Sequence, residues 1–307
     1  MSKQEVHYLE IDESHAGQRL DNFLLSYLKP LPKSAIYRLL RRGEVRVNKK
    51  RAKPADRLAL GDAIRIPPIT RPDKDTPVVS NFRQEQIESA VIYEDQDLLV
   101  LNKPAGVPVH GGSGVNAGVI EILRQARPDA KFLELVHRLD KGTSGCLLIA
   151  KNRQALLHLQ SQIKANNVKK TYHALVAGKW PKSLNKIDLP LKKNTLSSGA
   201  RIVRADPEGK AALTTFRILK NYKDCTLIEA RLHTGRTHQI RVHCQHAGHP
   251  ILGDGKYGMR SICQAIEKAH KIKRMCLHAA ELQFELPSGE RTTVTAHCED
   301  FNESTAL

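Results

Sequence analysis

The stretch Leu135-Val-His-Arg-Leu-Asp-Lys-Gly-Thr-Ser-Gly-Cys-Leu-Leu-Ile-Ala-Lys151 constrains the fold more than any other part of the chain. Its end, Cys146-Leu-Leu-Ile-Ala150, is a short continuous apolar run, the pattern of a strand buried on both faces. Just before it, Lys141-Gly-Thr-Ser-Gly145 gathers turn-forming residues, so the backbone is expected to bend sharply after Asp140. Asp140 therefore stands beside a rigid buried element, two residues past Arg138. A carboxylate placed there, next to a cation, is either a turn cap or a reactive group, and spacing alone leaves both open.

The first part of the chain has a different character. Leu20, Phe23, Leu24, Tyr27 and Leu28 share one helical stripe, and Pro30 and Pro32 stop that helix and open the next. Lys33 to Arg42 predicts a second helix with Ile36, Leu39 and Leu40 inward and Gly43 as its C-terminal cap. Glu44-Val-Arg-Val-Asn48 alternates as a strand, and Leu58 to Ile66 reads as a turn followed by another strand. Between Lys29 and Arg57 eleven basic residues face only two acidic ones. The whole chain carries a formal net charge of +17 with an isoelectric point near 9.7, which points to a polyanionic partner. An anionic membrane is the competing partner, but no long apolar run or amphipathic anchor is present, and the first residues lack the apolar core of a secretory signal. Six scattered cysteines without a C-x-x-C pair fit reduced thiols in a cytoplasmic protein.

These patterns predict a small unit over 17–67, a proline-interrupted, charged linker over 68–88, and a larger domain over 89–300. The larger domain opens with two strands around an acidic turn, Ala90 to Leu101, followed by Lys103-Pro-Ala-Gly106 and a glycine-rich loop, His110 to Gly114. That loop matches no phosphate-binding pattern, so it is expected to be a flexible cover over a site. Arg153 to Asn166 predicts a helix with Leu156, Leu157, Leu159, Gln160 and Ile163 near its inner stripe, and Lys169 to Val176 a strand with alternating faces. On that strand Tyr172 is a core aromatic or a stacking surface, and periodicity does not choose between them. The stretch from Leu232 to Pro250 holds five histidines, at 233, 238, 243, 246 and 249. Their spacing fits no zinc pattern and no carboxylate lies among them, so no metal is expected.

Several stretches of the chain carry a resemblance. The string His137-Arg-Leu-Asp-x-x-Thr-Ser-Gly145 resembles the main motif of pseudouridine synthases of the ribosomal large-subunit type. Lys170-x-Tyr-x-Ala174 and Gly235-Arg-x-His-Gln-Ile-Arg-x-His243 resemble two further motifs of that family, as do Gly248 to Gly258 and Leu277 to Phe284. Helix, helix, Gly43 and x-Val-x-Val-Asn resemble the S4 RNA-binding domain. The resemblance implies an α+β fold, with a large mixed, mostly antiparallel sheet flanked by helices and a small N-terminal α/β unit. It implies that Asp140 is the catalytic residue, that Arg241 pairs with it, and that Tyr172 packs against the target base. It further implies that Arg138 fills the space vacated by a flipped base, with Leu139 and Ile240 as apolar neighbours of the uracil. On the S4-like unit, Lys33, Ser34, Tyr37, Arg38, Arg41 and Arg42 would form the RNA-binding face.

The expected reaction breaks the bond from ribose C1′ to uracil N1, turns the base, and joins C5 to C1′. Nothing is oxidised or added, so no cofactor is expected. An ionised Asp can begin as nucleophile or as base at the ribose, and the target must first leave its stack. The expected partner is large-subunit (23S) ribosomal RNA, met by a monomer in the cytoplasm. Two rival classes stay in view. A pure RNA-binding module would not account for Asp140, Tyr172 and Arg241, and a glycosidic hydrolase would want a second carboxylate as acid or base.

Overall fold

The computed structural model describes residues 5–28, 31–69, 79–111, 117–195 and 201–301. Pro30, the prolines at 72 and 77, and most of the glycine-rich loop lie outside the described residues. The chain divides into two compact units between Val78 and Val79.

The first unit holds β1 (His7–Glu10), α1 (Leu20–Tyr27), α2 (Lys33–Arg42), β2 (Arg46–Val47), β3 (Lys50–Arg51) and β4 (Ala63–Ile66). Its strands form an antiparallel sheet in the order β1-β4-β2-β3. β1 lies upstream of the expected start at residue 17, yet its residues pair with β4 from His7↔Ile66 to Glu10↔Ala63. The helices close over the sheet through Leu20, Leu24, Leu28, Ile36 and Leu40, which meet Val45, Ile64 and Ile66 in one core. Tyr27 departs from the expected stripe: it is exposed at the helix end and stacks on Phe23. Gly43 caps α2 in the left-handed region, its N–H donating to the carbonyls of Leu39 and Leu40. The strand expected over 44–48 shrinks to Arg46–Val47, because Asn48 and Lys49 both take positive φ and turn the chain into a tight hairpin. Asn48 fixes that turn, its amide donating to Asp62 and its carbonyl accepting the Ala63 N–H.

The second unit begins with α3 (Asn81–Glu88), which occupies the end of the segment read as linker; Val79 and Ile87 are buried in the larger core. Then come β5 (Val91–Glu94), β6 (Leu98–Lys103), α4 (Val119–Ala126), β7 (Glu134–Leu135), β8 (Ser144–Ala150) and α5 (Arg153–Lys164). β9 (Lys169–Ala177), β10 (Lys186–Asp188), β11 (Leu191–Thr195), β12 (Arg201–Ala205), β13 (Leu213–Asn221) and β14 (Cys225–Leu232) come next. α6 (Gln239–His246), α7 (Arg260–Ala269), β15 (Leu277–Glu285) and β16 (Arg291–Thr295) end the described elements. The large sheet runs β10-β13-β14-β9-β15-β8-β6-β5, with β16 beside β15, β7 beside β8, and β11-β12 a separate ribbon. Its described pairings are antiparallel except β15 with β8, so the fold is the expected α+β with a mixed, mostly antiparallel sheet.

β8 is buried at every position, as a continuous apolar run requires. The alternation expected of β9 is absent: Tyr172 and Ala174 to Ala177 are all buried, because the strand lies mid-sheet between β14 and β15 with both faces covered. On α5 the stripe is narrower than the sequence suggests. Ala155 and Leu159 point inward, Leu156 and Ile163 are half-buried, and Leu157 and Gln160 face solvent.

The parallel pair of β8 and β15 sets the position of the turn that carries Asp140, since it brings Ser144 opposite His278 and Gly145 opposite Ala279. Gly145 has φ +104, and a Cβ there would lie 2.2 Å from the Ala279 carbonyl oxygen. Only glycine permits both the backbone angle and the approach. Gly145→Ala is expected to cost about 3 kcal/mol or more through combined backbone strain and overpacking, read as a lowered urea midpoint; an unchanged midpoint would show that this contact sets nothing.

Candidate active site

Asp140 sits where β7 and β8 hand the chain to a tight turn. The Thr143 N–H donates to the Asp140 carbonyl at 3.1 Å and closes that turn. Two bonds reach the next residue: the Gly106 N–H donates to the Lys141 carbonyl at 2.8 Å, and so does Lys103 Nζ at 3.3 Å. Lys103 is wholly buried and also donates to the carbonyls of Pro104 and Val107, each at 2.8 Å. Burial brings its ammonium down to about 7, against the pull of the nearby Asp140 charge. The Lys-Pro-x-Gly stretch thus acts as a clamp on the turn that carries Asp140.

One Asp140 oxygen is held from α6. Arg241 Nη1 donates to Oδ2 at 2.8 Å, a contact spanning 101 positions of sequence. Arg241 does not serve Asp140 alone. Its Nε and Nη2 form a two-pronged pair with Asp254 at 2.7 and 2.8 Å, and its guanidinium lies 4.9 Å from the Tyr257 ring centroid. Asp254 is nearly inaccessible and also accepts the N–H groups of Lys256 and Tyr257. Burial pushes its carboxyl up, but the Arg241 hydrogen bonds and charge, with those two amides, outweigh that and leave it below its ordinary value. The Asp140 side chain is partly open, about 24% of it exposed, because it faces open cavities.

His238 completes the surround. It precedes α6 in the left-handed region at φ 56, an uncommon place for a non-glycine residue. Its Nε2 lies 3.7 Å from the same Asp140 Oδ2. Its Nδ1 lies 2.7 Å from the Tyr257 hydroxyl, whose oxygen already accepts the Val203 N–H at 2.9 Å. With that oxygen accepting, the phenol proton is available for Nδ1, which leaves the Nε2–H turned to Asp140. Burial lowers the His238 pKa, in line with a neutral ring.

The expected residues come together. Arg138, Leu139, Asp140, Tyr172, Ile240 and Arg241 all line one cavity of about 310 Å³, shared with Val136, Ile163, Lys170, Leu232 and Leu277. Tyr172 and Leu139 are buried within its wall, and Arg138 is exposed at its rim. Burial first, then the Asp140 charge, pushes the Tyr172 hydroxyl up, so it stays protonated. His137 also lines this cavity, but its Nε2 accepts the Leu148 N–H at 3.1 Å, and burial brings it down to about 4. The five histidines of the third stretch disperse, with His233 on Thr215, His243 on the Leu189 carbonyl and His249 on the Ala177 carbonyl.

The other expected face belongs to the first unit. Lys33, Ser34, Arg38, Arg41 and Arg42 are exposed on α2. Tyr37 is half-buried, and its hydroxyl donates to Asp21, a buried carboxylate also held by Arg19. That pairing with Arg19 lowers Asp21 to about 2.

Sequence reasoning left Asp254, His238 and Tyr257 without roles. The signal for Asp254 and Tyr257 was present in Gly253-Asp-x-x-Tyr-Gly258, since an arginine with five donors in a buried place needs a second acceptor beyond Asp140.

The comparisons with known proteins agree with this geometry. Residues 97–246 match the family model for RNA pseudouridylate synthase, and residues 18–64 match the S4 domain. The chain is 50% identical over 289 residues to "Ribosomal large subunit pseudouridine synthase C" of Vibrio vulnificus, covering 93% of this chain and 90% of the relative. It is 50% identical over 295 residues to the protein of the same name from Salmonella typhimurium, covering 95% and 92%. The chain belongs to the RNA pseudouridylate synthase family. Among solved structures, Human RNA Pseudouridylate Synthase Domain Containing 4 superposes with a TM-score of 0.59 at 26% identity, covering 71% of this chain and 91% of the human one. As a pseudouridine synthase the protein is an isomerase. Among the described residues, no helix of the synthase is long and apolar enough to cross a membrane.

The Arg241–Asp254 pair gives a direct test of how the synthase holds its site. Asp254→Ala strands half of a buried guanidinium and is expected to cost about 3–5 kcal/mol in urea unfolding. The pH dependence comes from the lowered Asp254 pKa. Its contribution is complete above the unfolded carboxyl value of about 4 and is lost as pH falls through the lower folded value. Below about pH 4 the wild type should therefore lose stability more steeply than Asp254→Ala; parallel acid profiles would contradict the assignment.

Proposed function

We propose that this synthase isomerises specific uridines of large-subunit (23S) ribosomal RNA to pseudouridine, with Asp140 as the catalytic residue. The observation that carries the reading is the placement of Asp140 across one cavity from Tyr172, with Oδ2 fixed by Arg241. Among the described residues no hydrogen bond to Oδ1 accompanies it, so Oδ1 is the oxygen offered to the ribose. The substrate class is supported by the shared name of relatives at half identity over nine-tenths of the chain and by the S4 match.

In this reading the target uridine leaves its stack, and Arg138 at the cavity rim takes its place. Uracil enters the cavity and packs on the Tyr172 ring, between Leu139 and Ile240. Asp140 acts at the ribose as nucleophile or base, N1 departs with the bonding pair, the ring turns, and C5 bonds to C1′. The C5 proton is then lost and N1 ends protonated, so atoms balance without a cofactor. The apolar walls hold the detached ring close to C1′, which keeps reattachment effectively unimolecular. A single copy suffices, since Asp140, Tyr172, Arg241 and Asp254 all come from one chain. The protein would work as a monomer in the cytoplasm, where its substrate is made.

Asp140→Asn keeps the size of the side chain but removes its charge. With large-subunit ribosomal RNA tritiated at uridine C5, the wild type should release tritium while the base stays attached, and Asp140→Asn should release none while still binding RNA. Free uracil from the wild type would mark a hydrolase, and turnover by a pure Asp140→Asn preparation would remove Asp140 from the chemistry.

For recognition, we propose that the exposed face of α2, with Lys33, Ser34, Arg38, Arg41 and Arg42, contacts RNA phosphates; Tyr37 contributes by shaping that face, since its hydroxyl is engaged with Asp21. Each released phosphate contact changes the log–log salt slope by about 0.7 to 0.9. Changing Arg38, Arg41 and Arg42 together to Ala should weaken binding and flatten that slope by roughly 2 to 3. An unchanged slope across the salt series would mean that these arginines only solvate the helix.

A further inference from the structure

Asp140 borders a second cavity on its other side. This one, about 540 Å³, shares Arg138, Asp140, His238 and Arg241 with the first and is otherwise different in character. The first is walled by Leu139, Tyr172, Ile163, Ile240, Leu232 and Leu277. The second has Met275 and Ala105 as its apolar side chains and small residues at Gly106, Gly142, Gly253 and Gly255. At Gly106 and Gly255 a Cβ would meet nothing within 4 Å, so the wall there is open backbone that a ligand can approach closely.

Cations line both cavities, the first holding Arg138, Lys170, Arg236 and Arg241 against Asp140. The second cavity is lined by Arg138, Lys141, Arg241, Lys256, Lys273 and Arg274 against the carboxylates of Asp140 and Asp254. Both carboxylates are already bonded to Arg241, and Arg274 is paired with Asp300 and lies over the Phe301 ring. Lys141 and Lys273 are exposed and make no ion pair among the described residues. Two exposed lysines without an ion pair among the described residues, beside open glycine backbone, fit an anion.

The reaction dictates what meets at the border. The bond that breaks joins the base to C1′, so with C1′ at Asp140 the uracil must lie on one side and the phosphates of the same nucleotide on the other. The cavity whose wall carries Tyr172 and several aliphatic side chains suits the ring, which leaves the second cavity for the backbone. We propose that this second cavity is a phosphodiester subsite, in which Lys141 and Lys273 hold the phosphate groups flanking the flipped uridine and so seat its C1′ at Asp140. The subsite rests on the function proposed above and adds the part of the substrate that the base pocket cannot grip. Lys141 directly follows Asp140 on the clamped turn, so a phosphate bound there registers the ribose against the carboxylate within one residue.

The test uses the full chain, a synthetic RNA hairpin spanning a uridine that the wild type modifies, and matched hairpins with a neutral methylphosphonate 5′ or 3′ of that uridine. Single-turnover rates across enzyme concentrations give the half-saturating concentration and the saturated rate. Lys141→Met with Lys273→Met should raise the half-saturating concentration at least about tenfold on the native hairpin, the scale of one lost charge-assisted contact. At one of the two methylphosphonate positions the wild type should lose about as much, and the double variant less than about twofold more, because both changes remove the same interaction. Lys273→Met alone, far in sequence from the turn, should show part of the same loss. A double variant within about twofold of wild type, or full multiplication of the two losses at both positions, would overturn the subsite. A wild type that binds ribosomal RNA but forms no pseudouridine would overturn the function itself and this subsite with it.

Discussion

The Arg241 guanidinium is the interaction on which the rest of the site depends. From α6 it reaches two separate parts of the chain: the turn at Asp140 and the loop at Asp254 and Tyr257. A lone arginine in this place would be costly, since desolvating a cation outweighs one ion pair. Two carboxylates and an aromatic face answer its charge, and the geometry is the planar fork that arginine offers and lysine does not. Burial works to lower the Arg241 pKa, but its bonds to the two carboxylates more than offset this and leave it above its ordinary value, so it stays charged. Asp140 is therefore held as an oriented acceptor by a partner that is itself locked from behind.

A second buried cation plays a different part. Among the described residues Lys103 bonds no carboxylate but three backbone carbonyls, and in doing so ties the 103–107 loop to the residue after Asp140. Arg241 thus fixes the side chain of Asp140, and Lys103 fixes the backbone of the residue that follows it. Between them the carboxylate keeps its position although it faces open space on two sides, which a substrate spanning both cavities demands.

The sheet explains how these parts meet. β14, β9, β15 and β8 are consecutive in the sheet although they are scattered in sequence. Leu232 at the end of β14, Tyr172 in β9, Leu277 at the start of β15 and the turn before β8 therefore lie side by side along one edge of the cavity. The parallel pairing of β15 with β8, made possible by Gly145, sets the height of the Asp140 turn against that edge.

Much of this was legible in the chain itself. The run 146–150 announced a buried strand, Gly43 and Pro32 bounded α2, and the motif strings named Asp140, Tyr172 and Arg241, because each depends on local pattern or on residue types at fixed spacing. The failures share a cause. Tyr27, Leu157 and Gln160 sit at the margins of helical stripes, where the width of the neighbouring surface decides burial. β9 lost its alternation because both its faces are covered, and β1 and α3 were overlooked because each is short and is held by long-range packing. His238 took its role from tertiary structure alone, and Asp254, although its motif stood in the sequence, gained its role only there: a buried guanidinium needs a second acceptor, and which acceptor it finds depends on how α6 packs beside the 253–258 loop. Sequence determined which residues could do the chemistry; only the packing of the sheet and α6 decided that one carboxylate would border two cavities, one of them walled by Tyr172.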